Sequence, residues 1–124
     1  MGSLEIVGGG RMGEALVTGL LAGGWSAREL TIVEELPNRR RELEQRFGDV
    51  GVYDEPVAAD GAVVAVKPVD VDRACRAVAS AGVHRVLSIA AGVTLAHLEG
   101  ALPPRTPVVR AMPNTPALVG AGVA

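Results

Sequence analysis

Leu4-Glu5-Ile6-Val7-Gly8-Gly9-Gly10-Arg11-Met12-Gly13-Glu14-Ala15-Leu16-Val17 is the stretch that decides the fold of this 124-residue chain. An apolar, β-like segment (Leu4, Ile6, Val7) runs into Gly8-x-Gly10-x-x-Gly13 and then into a helical pattern. Gly8 permits the tight strand-to-helix turn, Gly10 lets a pyrophosphate come close to the backbone, and Gly13 lets the helix sit tightly on the strand. The free N–H groups at the helix start, together with its dipole, favour a phosphate bridge there. The glycine pattern alone is a weak signal. Here it begins at residue 8, follows a strand, opens a helix, and is answered by an acidic residue, Glu34, 21 positions after Gly13. That context implies dinucleotide binding, the alternative being a glycine-rich turn in some other α/β protein.

Outward from this stretch, strand and helix signals alternate. The spacing predicts a helix over 11–22 with Met12, Ala15, Leu16, Gly19 and Leu20 as its buried stripe, ended by Gly23-Gly24. A β-branched strand is expected over 30–33. A solvated helix should follow from Pro37, a residue the first helical turn tolerates, to Phe47. A short strand over 50–53 comes next, then a continuous apolar run over 62–66, the mark of a strand buried on both faces. A helix over 70–81, a strand over 86–89, a helix capped by Thr94 and a strand around Val108-Val109 complete the pattern. This alternation with short connections predicts a Rossmann-type, doubly wound, mainly parallel sheet with helices on both faces and strand order 3-2-1-4-5-6. Residues 1–124 read as one dinucleotide-binding domain. The apolar ending, Leu118 to Ala124, carries no polar tail and is expected to be a cut through a longer protein.

Bulk composition narrows the class. Apolar residues make up 48% of the chain and aromatics 2%, so the core is built from Val, Ala and Leu. The net charge is −2, and no basic run exceeds Arg39-Arg40-Arg41, so nucleic acid is not an expected partner. A single cysteine, Cys75, excludes an internal disulfide and fits a reducing compartment. No apolar run approaches the roughly 20 residues of a membrane span. The N-terminus carries Glu5 in a strand and does not resemble a secretory leader. A cytoplasmic, soluble protein without membrane partners is the expectation.

In such sheets ligands bind outside the carboxyl ends of the strands. That rule selects Gly8, Gly9, Gly10, Arg11, Met12 and Gly13; Glu34-Glu35; Ala65, Val66, Lys67 and Pro68; Ala90, Ala91 and Gly92; and Met112 to Pro116. Glu34 is placed to accept hydrogen bonds from adenosine ribose hydroxyls, which favours NAD over NADP. Asn38, Arg39 and Arg40 could instead pair with the extra phosphate of NADP, or form a solvated helix face. Lys67 reads either as an acid or carboxylate anchor or as a residue flanking a turn. Ala90, Ala91 and Gly92 suit a flat ring or tight packing alike. His84 and His97 read as surface residues, and Cys75 as core filler. No metal-ligand spacing occurs.

With these residues in view, the chain resembles the N-terminal NAD(P)-binding domain of the pyrroline-5-carboxylate reductase family. The resemblance rests on Gly8-Gly9-Gly10-Arg11-Met12-Gly13-Glu14-Ala15, Ala65-Val66-Lys67-Pro68, Ser88-Ile89-Ala90-Ala91-Gly92-Val93-Thr94 and, above all, Arg110-Ala111-Met112-Pro113-Asn114-Thr115-Pro116. It implies reduction of 1-pyrroline-5-carboxylate to L-proline, the last step of proline biosynthesis, with NADPH or NADH. Carried over, Gly8 to Gly13 would hold the pyrophosphate, and Glu34 to Arg39 would meet the adenosine ribose or its phosphate. Ala65 to Pro68 would line the nicotinamide ribose, and Ala90 to Gly92 the nicotinamide. Met112, Pro113, Asn114 and Thr115 would face the substrate, with no certain catalytic residue among them. Members often have small hydroxyl residues after the second strand, where this chain has Glu34-Glu35-Leu36. The family's helical C-terminal domain, through which the full-length protein forms a homo-oligomer, is absent, so the isolated chain is expected to bind coenzyme without turnover. The imine carbon needs only to be held about 3–3.5 Å from the hydride donor, so the chemistry asks for position more than for an acid–base pair. The alternatives are a β-hydroxyacid dehydrogenase, a deazaflavin-dependent NADP oxidoreductase, or a non-catalytic nucleotide-sensing module. The Met112–Pro116 string argues against the first two.

Overall fold

The structure is a computed structural model that describes residues 2–89 and 93–110. Strand β1 (Leu4–Val7) leads into helix α1 (Arg11–Ala22), followed by β2 (Leu30–Val33), α2 (Pro37–Arg46) and β3 (Gly51–Tyr53). Then come β4 (Gly61–Val64), α3 (Val71–Ser80), β5 (Val86–Ser88), α4 (Leu95–Ala101) and β6 (Val108–Arg110). The strands form one parallel sheet in the order β3-β2-β1-β4-β5-β6, as the alternation of signals predicts. Every connection between parallel neighbours must cross a face of the sheet, and the intervening helices make those crossings.

Side chains along each strand alternate between the two faces. Ile6, in register with Ile32 and Val63, packs with Val17 of α1 and Leu43 of α2. One residue on, Val7, Val33 and Val64 turn to the other face, against Val71, Ala74, Cys75 and Val78 of α3 and Leu98 of α4. The bare β-branched runs in the sequence therefore mark strands covered on both sides. Cys75 is part of this core, and burial pushes its thiol above the usual range.

Three local details differ from the pattern in the sequence. Strand β4 begins at Gly61 and ends at Val64, although the Ala65 N–H still donates to the Val7 carbonyl at 2.8 Å. Ahead of α3, Pro68–Asp70 forms a separate 3-10 turn, and another covers Ala27–Glu29, closed by a capping box between Ser26 and Glu29. In α1 Met12, Leu16 and Leu20 pack, partly buried, against the core as expected, but the centre of the stripe lies one position on. Gly13 and Val17 are the buried residues, while Ala15 and Gly19 are exposed. The phase follows from Gly13, which must face the sheet, so Val17 one turn later does too. Thr94 caps α4, its hydroxyl accepting from the His97 N–H at 3.1 Å.

Among the described residues the core buries two polar side chains, Ser88 and Glu5, and of these only Glu5 carries a carboxyl. It lies in the central strand, paired with Thr31 and Ala62, and is fully buried. Its Oε1 accepts from the Val57 N–H at 2.7 Å, while Oε2 is buried with no hydrogen-bond partner among the described residues. Burial raises its pKa above the ordinary value near 4.5, the Val57 hydrogen bond opposing the shift. Below that pH the carboxyl is protonated folded and unfolded alike. Above it, folding must retain a proton or bury a charge, so this group's contribution to stability falls as pH rises through the raised value. Glu5→Gln is expected to stabilise the protein by roughly 1 kcal/mol at pH 7–8 and to flatten the decline in stability above pH 5. Urea unfolding at several pH values checks this; identical pH profiles for the two proteins would exclude the mechanism.

Candidate coenzyme site

At the carboxyl end of β1 the chain turns through Gly8-Gly9-Gly10 into α1. Gly8 has φ +114°, a conformation suited to glycine, and a Cβ there would stand 2.8 Å from the Ala65 carbonyl oxygen. Its N–H donates to the Val33 carbonyl at 2.9 Å, tying the turn to β2. A Cβ on Gly13 would overlap the Gly8 carbonyl oxygen, so its absence lets α1 start directly above the turn. Among the described residues nothing fills the corresponding space at Gly10, and no side chain caps the helix. The first amides of α1 lack intrahelical partners and carry the positive end of the dipole, an arrangement suited to an anion.

Gly9 is also closely packed, and a side chain there would push the ends of two neighbouring side chains aside. A Cβ there would lie 2.6 Å from Leu43 Cδ1 and 2.9 Å from Glu34 Oε1. Glu34 packs beside the loop because its Oε1 accepts from the Gly9 N–H and its Oε2 from the Leu36 N–H, both at 2.9 Å. Arg39 grips the other side, Nε donating to the Gly9 carbonyl at 2.5 Å and Nη2 to Glu14 Oε1 at 3.0 Å. Arg40 donates through Nη1 to the carbonyls of Glu34 and Glu35, both at 2.8 Å. Both arginines thus brace backbone, and neither is the bare solvated residue that a charged helix face suggests. Asn38 is exposed and accepts from Arg41.

A cleft of about 550 Å³ runs along the carboxyl ends of β1, β2 and β4, a volume usual for small-molecule sites. Of the residues expected at the site, Gly8, Gly9, Gly10, Glu34, Glu35, Ala65, Val66 and Lys67 line it together. Arg11 is exposed at the helix start, Met12 packs against the core on the α1 side, and Pro68 opens the 3-10 turn beyond Lys67. Ala90, Ala91 and Gly92, and Met112, Pro113, Asn114 and Thr115, lie outside the described residues. Among the described residues no group of three or more His, Cys, Asp or Glu side chains could hold a metal, and no helix is long and apolar enough to cross a membrane.

The far rim holds residues that local sequence reading misses. Arg73 of α3 makes a two-pronged pair with Glu35, Nη1 to Oε2 at 2.7 Å and Nη2 to Oε1 at 2.8 Å, and reaches Asp70 at 3.1 Å. These pairings raise the pKa of the guanidinium, with Glu35 the main cause. Asp54 and Glu55 line the same cleft. Glu35 and Arg73 are 38 positions apart, so only the β1–β4 pairing brings them together. His97 is exposed and pairs with Asp72 at 2.5 Å, away from the cleft. His84 is exposed as well.

These backbone donors and the carboxylate acceptor fit the adenosine diphosphate half of a dinucleotide. An uncapped helix start and an open Gly10 suit the diphosphate, and a fixed carboxylate at the end of β2 suits the ribose hydroxyls.

Comparison with known proteins places this geometry in context. A Mycobacterium leprae pyrroline-5-carboxylate reductase is 46% identical over 132 residues, a match that covers 99% of this chain and 45% of the relative. The solved pyrroline-5-carboxylate reductase of Coxiella burnetii superposes with a TM-score of 0.84 at 29% identity, over 95% of this chain and 46% of that one. A Plasmodium falciparum pyrroline carboxylate reductase, solved with NADP bound, shares the fold with a TM-score of 0.75 at 23% identity, over 94% of this chain and 44% of that one. The chain therefore spans just under half the length of the relatives it matches. The family model described as "NADP oxidoreductase coenzyme F420-dependent" matches residues 3–92, which hold the glycine turn, Glu34 and the β4 segment. With that match covering most of its length, the chain belongs to the NADP oxidoreductase, coenzyme F420-dependent family.

Proposed function

We propose that this chain is the coenzyme-binding domain of a reductase that converts 1-pyrroline-5-carboxylate to L-proline with NADPH or NADH. The observation that carries the reading is the likeness to pyrroline-5-carboxylate reductase along 99% of the chain. It extends past residue 92, where the broader family model stops, and so takes in Met112-Pro113-Asn114-Thr115-Pro116. The family description also favours a second reading, exchange between NADP and a deazaflavin, but its match ends ahead of that string.

In this reading the bare start of α1 and the Gly10 backbone hold the diphosphate, and Glu34 holds the adenosine ribose. Ala65 to Pro68 lie along the nicotinamide ribose. Ala90 to Gly92 and Met112 to Thr115 face the reacting end. When bound, a reduced nicotinamide supplies the hydride that the imine carbon accepts. The chain's own part is to fix position and exclude water, since a protonated imine is already a good acceptor. The rest of the substrate pocket belongs, in this reading, to the part of the relatives beyond this chain's span, brought together in a homo-oligomer. Neither nucleic acid nor a membrane takes part.

The purified protein, at the relatives' full length, is expected to oxidise NADPH or NADH only when 1-pyrroline-5-carboxylate is added. Intact coenzyme binding without imine-dependent oxidation, or oxidation dependent on a deazaflavin instead, overturns the assignment. In this reading Glu34 bears on coenzyme choice, because a carboxylate that meets the ribose would also meet, and repel, a 2′-phosphate. Glu34→Ser is expected to improve NADPH affinity relative to NADH by about tenfold. Calorimetric titration with both coenzymes reads the ratio, and an unchanged ratio removes Glu34 as the discriminator.

A further inference from the structure

Arg39 is the residue whose surroundings diverge most from its expected role. As a cation within one turn of Glu34 it is a natural candidate to meet a coenzyme phosphate. Yet its side chain does not line the cleft, whereas Gly8, Gly9, Gly10 and Glu34 do. It lies behind the loop, 25% exposed, with Nε on the Gly9 carbonyl, Nη2 on Glu14 and Nη1 3.7 Å from Glu42. Two carboxylates thus hold the guanidinium while it holds one carbonyl.

The Gly9 carbonyl and the Gly10 N–H belong to a single peptide unit, and the described backbone contains no cis peptide. In a planar trans peptide these two groups point in opposite directions. Fixing the carbonyl on Arg39 therefore turns the Gly10 N–H away from α2. The preceding peptide is fixed as well, because its N–H, on Gly9, donates to Glu34. Gly10 itself has open space where a side chain would be and lines the cleft. Glycine would otherwise leave this loop free to rotate its peptides.

The geometry points to Arg39 as a positioning residue for the diphosphate: its grip on the Gly9 carbonyl aims the Gly10 N–H at the ligand, and it does not contact coenzyme phosphate itself. This rests on the reading of the cleft as a dinucleotide site.

Titration of the purified protein with ADP-ribose, NADH and NADPH separates the possibilities. Arg39→Met is expected to weaken all three alike, by about tenfold, for the loss of one charge-assisted hydrogen bond. Arg39→Lys, which can still place an ammonium near the carbonyl, should recover part of the loss. The Gly10 amide signal in ¹H–¹⁵N spectra should shift on ADP-ribose addition in the wild type and lose that response in Arg39→Met. A loss confined to NADPH makes Arg39 a 2′-phosphate ligand and overturns the proposal, as do unchanged affinities. If Arg39→Met fails to fold, Glu14→Gln, which loosens the guanidinium from outside, decides: a smaller uniform loss supports the proposal and unchanged binding overturns it. If the wild type binds none of the three ligands, the dinucleotide reading itself fails and the proposal falls with it. If the wild type binds and the variants match it, only the role of Arg39 is lost.

Discussion

A carbonyl oxygen and a helix meet at the end of β1 with too little room between them for a methyl group. The Gly8 carbonyl occupies the space that a Cβ on Gly13 would need. That contact sets how close α1 stands to the sheet and, with it, which face of the helix turns inward. It also sets the direction of the helix start, which opens at the carboxyl edge of the strands. The hydrogen bonds from Gly8 to Val33 and from Ala65 to Val7 hold the neighbouring strands level with that edge. The cleft is the consequence, since three strand ends and one helix end finish at the same height.

Around this frame the charges do two kinds of work. Exposed ion pairs contribute little to stability, commonly below about 1 kcal/mol, because water and salt screen them. The Arg73–Glu35–Asp70 group belongs to that class, with Arg73 57% exposed. Its effect is geometric, holding the β2 loop against the start of α3 across the cleft. The contacts of Arg39, Arg40 and Glu34 differ in kind because each ends on a backbone group. They decide how amides and carbonyls are directed, which matters more to a phosphate than their share of the folding energy.

Much of this was legible in the sequence because it is local. β-branched runs, glycine stops and the spacing of the Gly8–Gly13 turn suffice for strand order and for the place of the cleft. The inner face of α1 is legible at Met12, Leu16 and Leu20 but not at Ala15 and Gly19, because contact between Gly13 and the turn centres the face on Val17. Gly9 is legible as part of the turn, but its close packing is not, since Leu43 and Glu34 reach it from other elements. Arg39 and Arg40 read as a solvated face or as phosphate ligands, since charge alone does not reveal which carbonyl a guanidinium will reach. Glu5 marked a strand but not its burial, which arises only because β1 lies between β2 and β4 with the Val57 amide within reach.

Glu34 joins these levels. A carboxylate has two oxygens and about four acceptor sites, and here each oxygen is engaged by one amide, Gly9 N–H on Oε1 and Leu36 N–H on Oε2. Accepting capacity remains for two ribose hydroxyls without releasing either amide. A 2′-phosphate brings negative charge to the same place and offers no proton, so Glu34 would have to turn away. Turning away frees the Gly9 N–H and undoes one of the two grips on the loop, the other being that of Arg39. Where Glu34 meets the ribose, as proposed, coenzyme choice and loop order are coupled through one side chain, because displacing Glu34 also loosens the Gly9 backbone it holds.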